Sequence, residues 1–223
     1  MSDSRHLSVA GTGAPWLEPR RTWRELERDA STCARCSLHG ERTKVVFGAG
    51  DPEAELLIIG EAPGRPDDLQ GKPYLGALGN LLDSLLSEVG YVRDEVYVTT
   101  AAKCHPSGNR SAMPDELRAC VPYLLEQIGH IRPAVILTLG EAVTRLLLRR
   151  DLPLAQVAGY RLDVFETTLI PTFPLNDALR GNQPALNGLR RDFHAARAVI
   201  DGELPGGAET AALAREQLAG RDS

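Results

Sequence analysis

Little in the composition of this 223-residue chain marks a specialised class. Aromatic residues make up 5% of it, with two tryptophans, and methionine occurs twice, so its core must be largely aliphatic. No apolar run approaches the ~20 residues a membrane-spanning helix needs. The opening residues, MSDSRHLSVAGTGAPW, lack the apolar centre of a secretory signal. A cytoplasmic protein without a membrane partner is therefore expected. The phosphate loop GxxxxGK followed by Ser or Thr is absent, and so is GxGxxG, which removes the two commonest glycine-rich nucleotide motifs. An excess of positive charge is missing too. The net charge is −5, which argues mildly against nucleic acid, because phosphate binding runs on Lys and Arg. The average conceals a distribution. DGELPGGAETAALAREQLAGRDS at the end is acidic, whereas Lys103, Arg110, Arg180, Arg190 and Arg191 set basic points in the middle and later chain.

Cysteine is scarce, and its placing is informative. Cys33 and Cys36 form a CxxC pair, Cys104 follows a predicted strand, and Cys120 falls in a predicted helix. A reducing compartment disfavours structural disulfides. Four cysteines that include one CxxC point to a metal site, and both zinc and a [4Fe–4S] cluster accept four thiolates. Spacing alone does not choose between them.

The remaining pattern alternates buried strands with amphipathic helices. AELLIIG, EVYVTTAAK and PAVILTLG read as strands, with one or two short strands over 157–170. TWRELERDA, with Thr22 as N-cap, LGNLLDSLLSEVG, PDELRACVPYLLEQIGHI, EAVTRLLLRR and NGLRRDFHAARAVIDG read as helices. The expected fold class is α/β: a three-layer α/β/α sandwich with a central, mostly parallel sheet. Residues 1–20 are expected to be irregular, 21–201 to form the domain, and 202–223 to form a flexible tail with a short helix at ETAALAREQLA. Ligands in such sheets bind where loops leave the carboxyl ends of the strands. GEAPG onward, TTAAKCHPSGNR, LTLGEA and PTFPLNDALR therefore compete for the site. GEAPGRPDDLQGKPYLGALGNLL combines small residues, the carboxylates of Glu61, Asp67 and Asp68, and the aromatic face of Tyr74. Such a surface suits a planar polar ligand such as a nucleobase.

CxxC, GEAPGxxxDxxGxPYxGxxGxLL, KCxPxxNR, the helical Cys120 with PYLLEQI, PAVILTLGEAV, and PT followed seven residues later by LR occur in that order. In this combination the chain resembles the iron–sulfur, family-4 uracil-DNA glycosylases over residues 22–200. The resemblance implies a DNA glycosylase of base excision repair, usually a monomer, that hydrolyses the N-glycosidic bond of uracil or another deaminated base in DNA. It implies a structural [4Fe–4S] cluster on Cys33, Cys36, Cys104 and Cys120, and it alone prefers iron over zinc. By motif position, Glu61, Asp67 and Asp68 are the catalytic carboxylates. Ala62, Pro63, Gly64 and Tyr74 bind the base, Tyr74 standing where relatives usually carry Phe. Lys103, Asn109, Arg110 and Arg180 are expected on DNA.

Two positions depart from the family pattern. Its base-reading Asn is replaced by Thr100, and its base-binding His by Pro174, or by Phe173 after a one-residue slip. Thr100 and Phe173 are expected to line a reshaped base pocket. His105, or Asn176 or Asp177, is a candidate for the missing histidine's part. A cluster-bearing binding module with little excision, or a hydrolase of another nucleobase derivative, is the alternative that these losses favour.

Overall fold

A computed structural model describes residues 18–164 and 166–206. Most of the expected N-terminal segment and tail, including ETAALAREQLA, lies outside the described residues. Six strands form one sheet: β1 (Ala49–Gly50), β2 (Leu56–Gly60), β3 (Tyr97–Thr100), β4 (Val135–Leu139), β5 (Leu162–Val164) and β6 (Thr167–Thr172). Their order is β1-β3-β2-β4-β6-β5. The four inner strands are parallel, and β1 and β5 close the edges antiparallel. The mostly parallel sheet expected from sequence is present.

Helices α1 (Trp23–Ser31), α4 (Pro114–Ile131) and α5 (Glu141–Leu148) belong to one side, and α3 (Gly76–Glu88) and α8 (Gln183–Ile200) to the other. Successive strand residues alternate between the two layers. Leu57, Ile59, Ile136 and Leu169 pack with Leu124, Ile128, Val143 and Leu147 of α4 and α5. Leu56, Ile58, Val135, Leu137 and Ile170 pack with Leu82, Leu85 and Leu86 of α3 and with Leu189 and Phe193 of α8. Both faces are covered, which is why these strands read as unbroken apolar runs. Each buried Leu or Ile contributes about 1.5–3 kcal/mol.

The N-terminal helix is fastened before the chain reaches Cys33. Thr22 caps α1: its Oγ1 accepts from Glu25 N at 3.3 Å, and Thr22 N donates to Glu25 Oε2 at 2.9 Å. Trp23 meets Phe47, Tyr97 and His130 edge to face, with centroids 5.3–5.7 Å apart. Arg21 forks onto Glu126 of α4, with Nη2 at 2.7 Å from Oε1.

Three further short helices are present: α2 (Arg65–Gln70), α6 (Leu154–Val157) and α7 (Leu175–Leu179). The stretch holding α2 read as loop because it is dense in Gly, Pro and Asp. Those residues serve here as start and stop signals. Asp67 accepts from the N-cap N–H of Gly64, Pro66 sits in the first turn, and Gly71 ends the helix at φ 78°. Among the described residues, no helix is long and apolar enough to cross a membrane.

Candidate active site and cysteine cluster

A cavity of about 620 Å³ opens at the carboxyl ends of β2, β4 and β6. Glu61, Ala62, Pro63 and Gly64 follow β2 and form one wall, with Asp67 and Tyr74 beside them. His105, Asn109, Arg110 and Ser111 enter from the segment after β3. Gly140, Glu141 and Arg145 enter after β4, and Pro174, Leu175, Asn176 and Arg180 after β6.

The geometry separates the two adjacent aspartates. Asp67 Oδ2 accepts from Gly64 N at 3.0 Å, and its Oδ1 from Leu75 N at 2.8 Å. It borders the cavity while tying Gly64, the last residue of GEAPG, to Leu75 just before α3. Asp68 faces away. It accepts from Thr43 N at 2.9 and 3.0 Å and from Lys44 N at 3.3 Å, tethering the segment that runs toward β1. Neighbours on a helix differ by about 100° in direction, so one carboxylate can reach the cavity and the other cannot. The expectation of a catalytic Asp68 is corrected on this ground.

Glu61 borders the cavity, and its Oε1 accepts from Ala112 N at 2.8 Å. Tyr74 is held in the left-handed region at φ 55°. Arg93 secures its carbonyl at 3.0 Å, and its hydroxyl lies where a Cβ on residue 60 would stand, so Gly60 is what admits the ring. Burial first, then Asp67 and Glu61, push the Tyr74 phenol above the usual range. It therefore stays a neutral face.

Three further expectations change. Thr100 is 1% exposed, and its hydroxyl donates to Ala102 O at 2.7 Å, inside the fold rather than on the cavity wall. Phe173 turns into the layer of α3 and α8, its ring against Gly188, where a Cβ would collide with it. An apolar ring at that register is drawn to the core, so Pro174 and Asn176 line the cavity instead. Lys103 is 2% exposed, and its ammonium donates to Thr99 Oγ1, Thr100 O and Gln127 Oε1 at 2.6–2.7 Å. Burial pulls its pKa down to about 7. It cannot meet a DNA phosphate. Asn109, Arg110 and Arg180 do border the cavity. Arg190 and Arg191, both on α8, pair with Glu88 of α3 and with Asp192 of α8 respectively, and neither borders it.

Sequence reasoning missed Arg65, Ser111 and Arg145, which also border the cavity. Arg65 carried a usable signal, since it directly follows GEAPG. His105, named only as a candidate, does reach the cavity, with Nδ1 at 2.8 Å from Pro63 O. A carbonyl only accepts, so Nδ1 carries the proton, and in the neutral ring Nε2 is an acceptor. Asn176 borders the cavity and Asp177 does not.

The four cysteines meet about one small hollow, together with Arg42, Lys103 and Tyr123. Arg42 Nη1 donates to Cys33 O at 2.6 Å and to Cys104 Sγ at 3.4 Å. Burial pushes the Cys104 thiol up to about 11, Arg42 opposing it, and raises Cys120 as well. Among the described residues, no group of three or more His, Cys, Asp or Glu is placed to hold a single metal ion.

A three-layer α/β sandwich whose strand-end cavity sets carboxylates beside a neutral aromatic face defines a protein built to hold a flat polar group. The family model of the uracil DNA glycosylase superfamily matches residues 47–187. The chain is 36% identical over 182 residues to the Type-4 uracil-DNA glycosylase of Saccharolobus solfataricus, covering 75% of this chain and 82% of that one. It is 37% identical over 177 residues to the Type-4 uracil-DNA glycosylase of Thermotoga maritima, covering 77% and 91%. With the counterpart from Archaeoglobus fulgidus it shares 38% over 143 residues, covering 64% and 72%. The chain belongs to the uracil-DNA glycosylase superfamily, in its type-4, iron–sulfur branch.

Proposed function

We infer that the protein is a DNA glycosylase that hydrolyses the N-glycosidic bond of uracil, or of another deaminated base, in DNA. The observation that carries this is the convergence of Glu61, Asp67 and Tyr74 on one strand-end cavity in a chain of this family. The single domain spans residues 21–201. A base buried in a duplex stack is out of reach, so the nucleotide is flipped into the cavity. Tyr74 offers the stacking face. Glu61, with one oxygen held by Ala112 N, orients the water that attacks C1′ through its other oxygen. Asp67, with both oxygens engaged by backbone, shapes the loop whose N–H groups meet the base. Arg65, Arg110, Asn109 and Arg180 at the rim suit the DNA backbone.

The departing base carries negative charge and needs a donor. His105 has its Nδ1–H engaged by Pro63 O. Asn176 is the side chain on the wall after β6 with amide hydrogens to give, and it takes the part of the missing histidine. An amide is neutral, so it stabilises an anion less than a charged donor does, and slow excision is expected.

Cys33, Cys36, Cys104 and Cys120 fit a [4Fe–4S] cluster. Their shared, largely apolar hollow supports this. When bound, the cluster supplies a cross-link rather than a reaction step. It joins the chain after α1 to α4 and to the segment leading to His105.

The test is to identify the base released from single-stranded and duplex oligonucleotides carrying uracil, hypoxanthine or xanthine. Free base with a matching abasic site is expected. Intact strands for every base, with DNA still bound, would make the protein a binding module. Asn176→Ala should slow release by about 100-fold while DNA affinity holds.

A further inference from the structure

Tyr74 carries the flat face of the base cavity on an unfavourable backbone. Its φ of 55° lies in the left-handed region, where a bulky side chain stays only if its surroundings hold it. Three groups do so. The next amide, Leu75 N, donates to Asp67 Oδ1 at 2.8 Å. Gly79 leaves room for the Tyr74 carbonyl, which a Cβ at residue 79 would strike. Arg93 Nη2 donates to that same carbonyl at 3.0 Å and to Gly79 O at 3.3 Å.

Asp67 and Gly79 belong to the chain close on either side of Tyr74. Arg93 comes from a separate turn, Arg93–Glu95, between α3 and β3. That turn is itself fastened, because Val92 N donates to Glu95 Oε2 at 2.9 Å. Arg93 Nε is bonded to Asp83 of α3. One guanidinium therefore reaches two carbonyls and a carboxylate at once. A planar fork of donors does this with little freedom, whereas an ammonium on a flexible stem does not. Arg93 does not border the cavity, so it is not placed to touch a base held there. Its effect on such a base passes through Tyr74, whose far end is seated over Gly60.

We propose that Arg93 is a positioning residue for base excision: it holds the Tyr74 carbonyl so that the ring keeps the plane on which a flipped base stacks. The assignment rests on the reading of the protein as a glycosylase with Tyr74 as its stacking face. Without Arg93 the left-handed backbone at Tyr74 relaxes toward a commoner region, and the ring leaves its plane.

The experiment measures single-turnover release of the base that the wild type excises from single-stranded DNA, per folded molecule. Affinity for DNA with an abasic site, which offers no base to stack on, is measured beside it. Arg93→Met should slow release by about 10- to 100-fold, as small misplacements at a reacting centre do. Arg93→Lys should lose less, and abasic-site affinity should hold in both. Tyr74→Ala should slow release by a similar factor of about 10 to 100, the worth of one stacked base. The decisive protein carries both Arg93→Met and Tyr74→Ala. It should be no slower than Tyr74→Ala alone, because a residue that acts through the ring has nothing left to act on. Arg93→Lys takes the place of Arg93→Met in this cycle should the methionine variant fail to fold. Arg190→Ala, which breaks a different ion pair of α3, should leave the rate intact. A wild-type rate in Arg93→Met, losses that multiply in the double variant, or an equal loss in Arg190→Ala would overturn the proposal. A wild type that releases no base would overturn the glycosylase reading itself, and the role of Arg93 with it.

Discussion

Asp67 and Asp68 are neighbours of one chemical type, yet they hold different parts of the molecule. Both are about 5% exposed and both accept backbone N–H groups. Asp67 fastens the base-facing loop, and Asp68 fastens Thr43 and Lys44. Asp68→Ala should therefore cost about 2–3 kcal/mol of stability, as hydrogen bonds to a charged group do, measured by denaturant unfolding. Excision per folded molecule should stay unchanged. An Asp68→Ala protein of normal stability that is inactive would return Asp68 to the catalytic set. The sequence shows two carboxylates after GEAPG, but it does not show their directions, because the short helix carrying them is written in residues that usually mean loop. Lys103 was misread for a related reason. A lysine beside turn residues looks like a surface charge, and its acceptors include Gln127, 24 positions away on another element.

Elements were the most legible scale. The buried strands and long helices fall where apolar runs and 3.6-residue periodicity put them, since burial on both sheet faces writes itself into sequence. The wall after β6 was less legible. Whether Phe173 or Pro174 faces the cavity turns on a register of one residue. Gly188 on α8 decides it by leaving room for the ring. The start of α4 makes a separate, pH-dependent contribution. Glu116 is 1% exposed and accepts from Arg110 Nη1 and Nη2 at 2.7–2.8 Å, from Met113 N at 2.7 Å and from Ser37 at 2.9 Å. The Arg110 bonds are the largest cause of a carboxyl pKa lowered to about 2. Its stabilising effect is then full above the unfolded value of 4.5 and is lost as pH falls toward 2. Glu116→Gln should lose about 2–3 kcal/mol at pH 7 and little at pH 2, read from unfolding curves at both pH values. An equal loss at both would show that packing, not charge, is what Glu116 supplies. Arg110 also borders the cavity, so this ion pair sets how firmly one rim cation is held.

At the scale of the whole molecule, the cysteine hollow and the base cavity are linked through one short segment. Cys104 enters the hollow, and the next residue, His105, enters the cavity and bonds Pro63 O. Cys120→Ser should lose the broad visible absorbance and the roughly four irons per chain that a [4Fe–4S] cluster brings. It should also lower the thermal midpoint. Stoichiometric zinc without iron in the wild type would contradict the assignment of the cluster. The fold class and the order of motifs were readable from the chain because both rest on local patterns. The most direct test of the central claim is the single-turnover rate of uracil excision by wild type and by Glu61→Gln, with protein in large excess over a labelled oligonucleotide. Expected is measurable cleavage by the wild type, a rate at least about 100-fold lower for Glu61→Gln, and equal DNA affinity for both. Equal rates for the two proteins, or no cleavage by the wild type while it still binds the DNA, would contradict it.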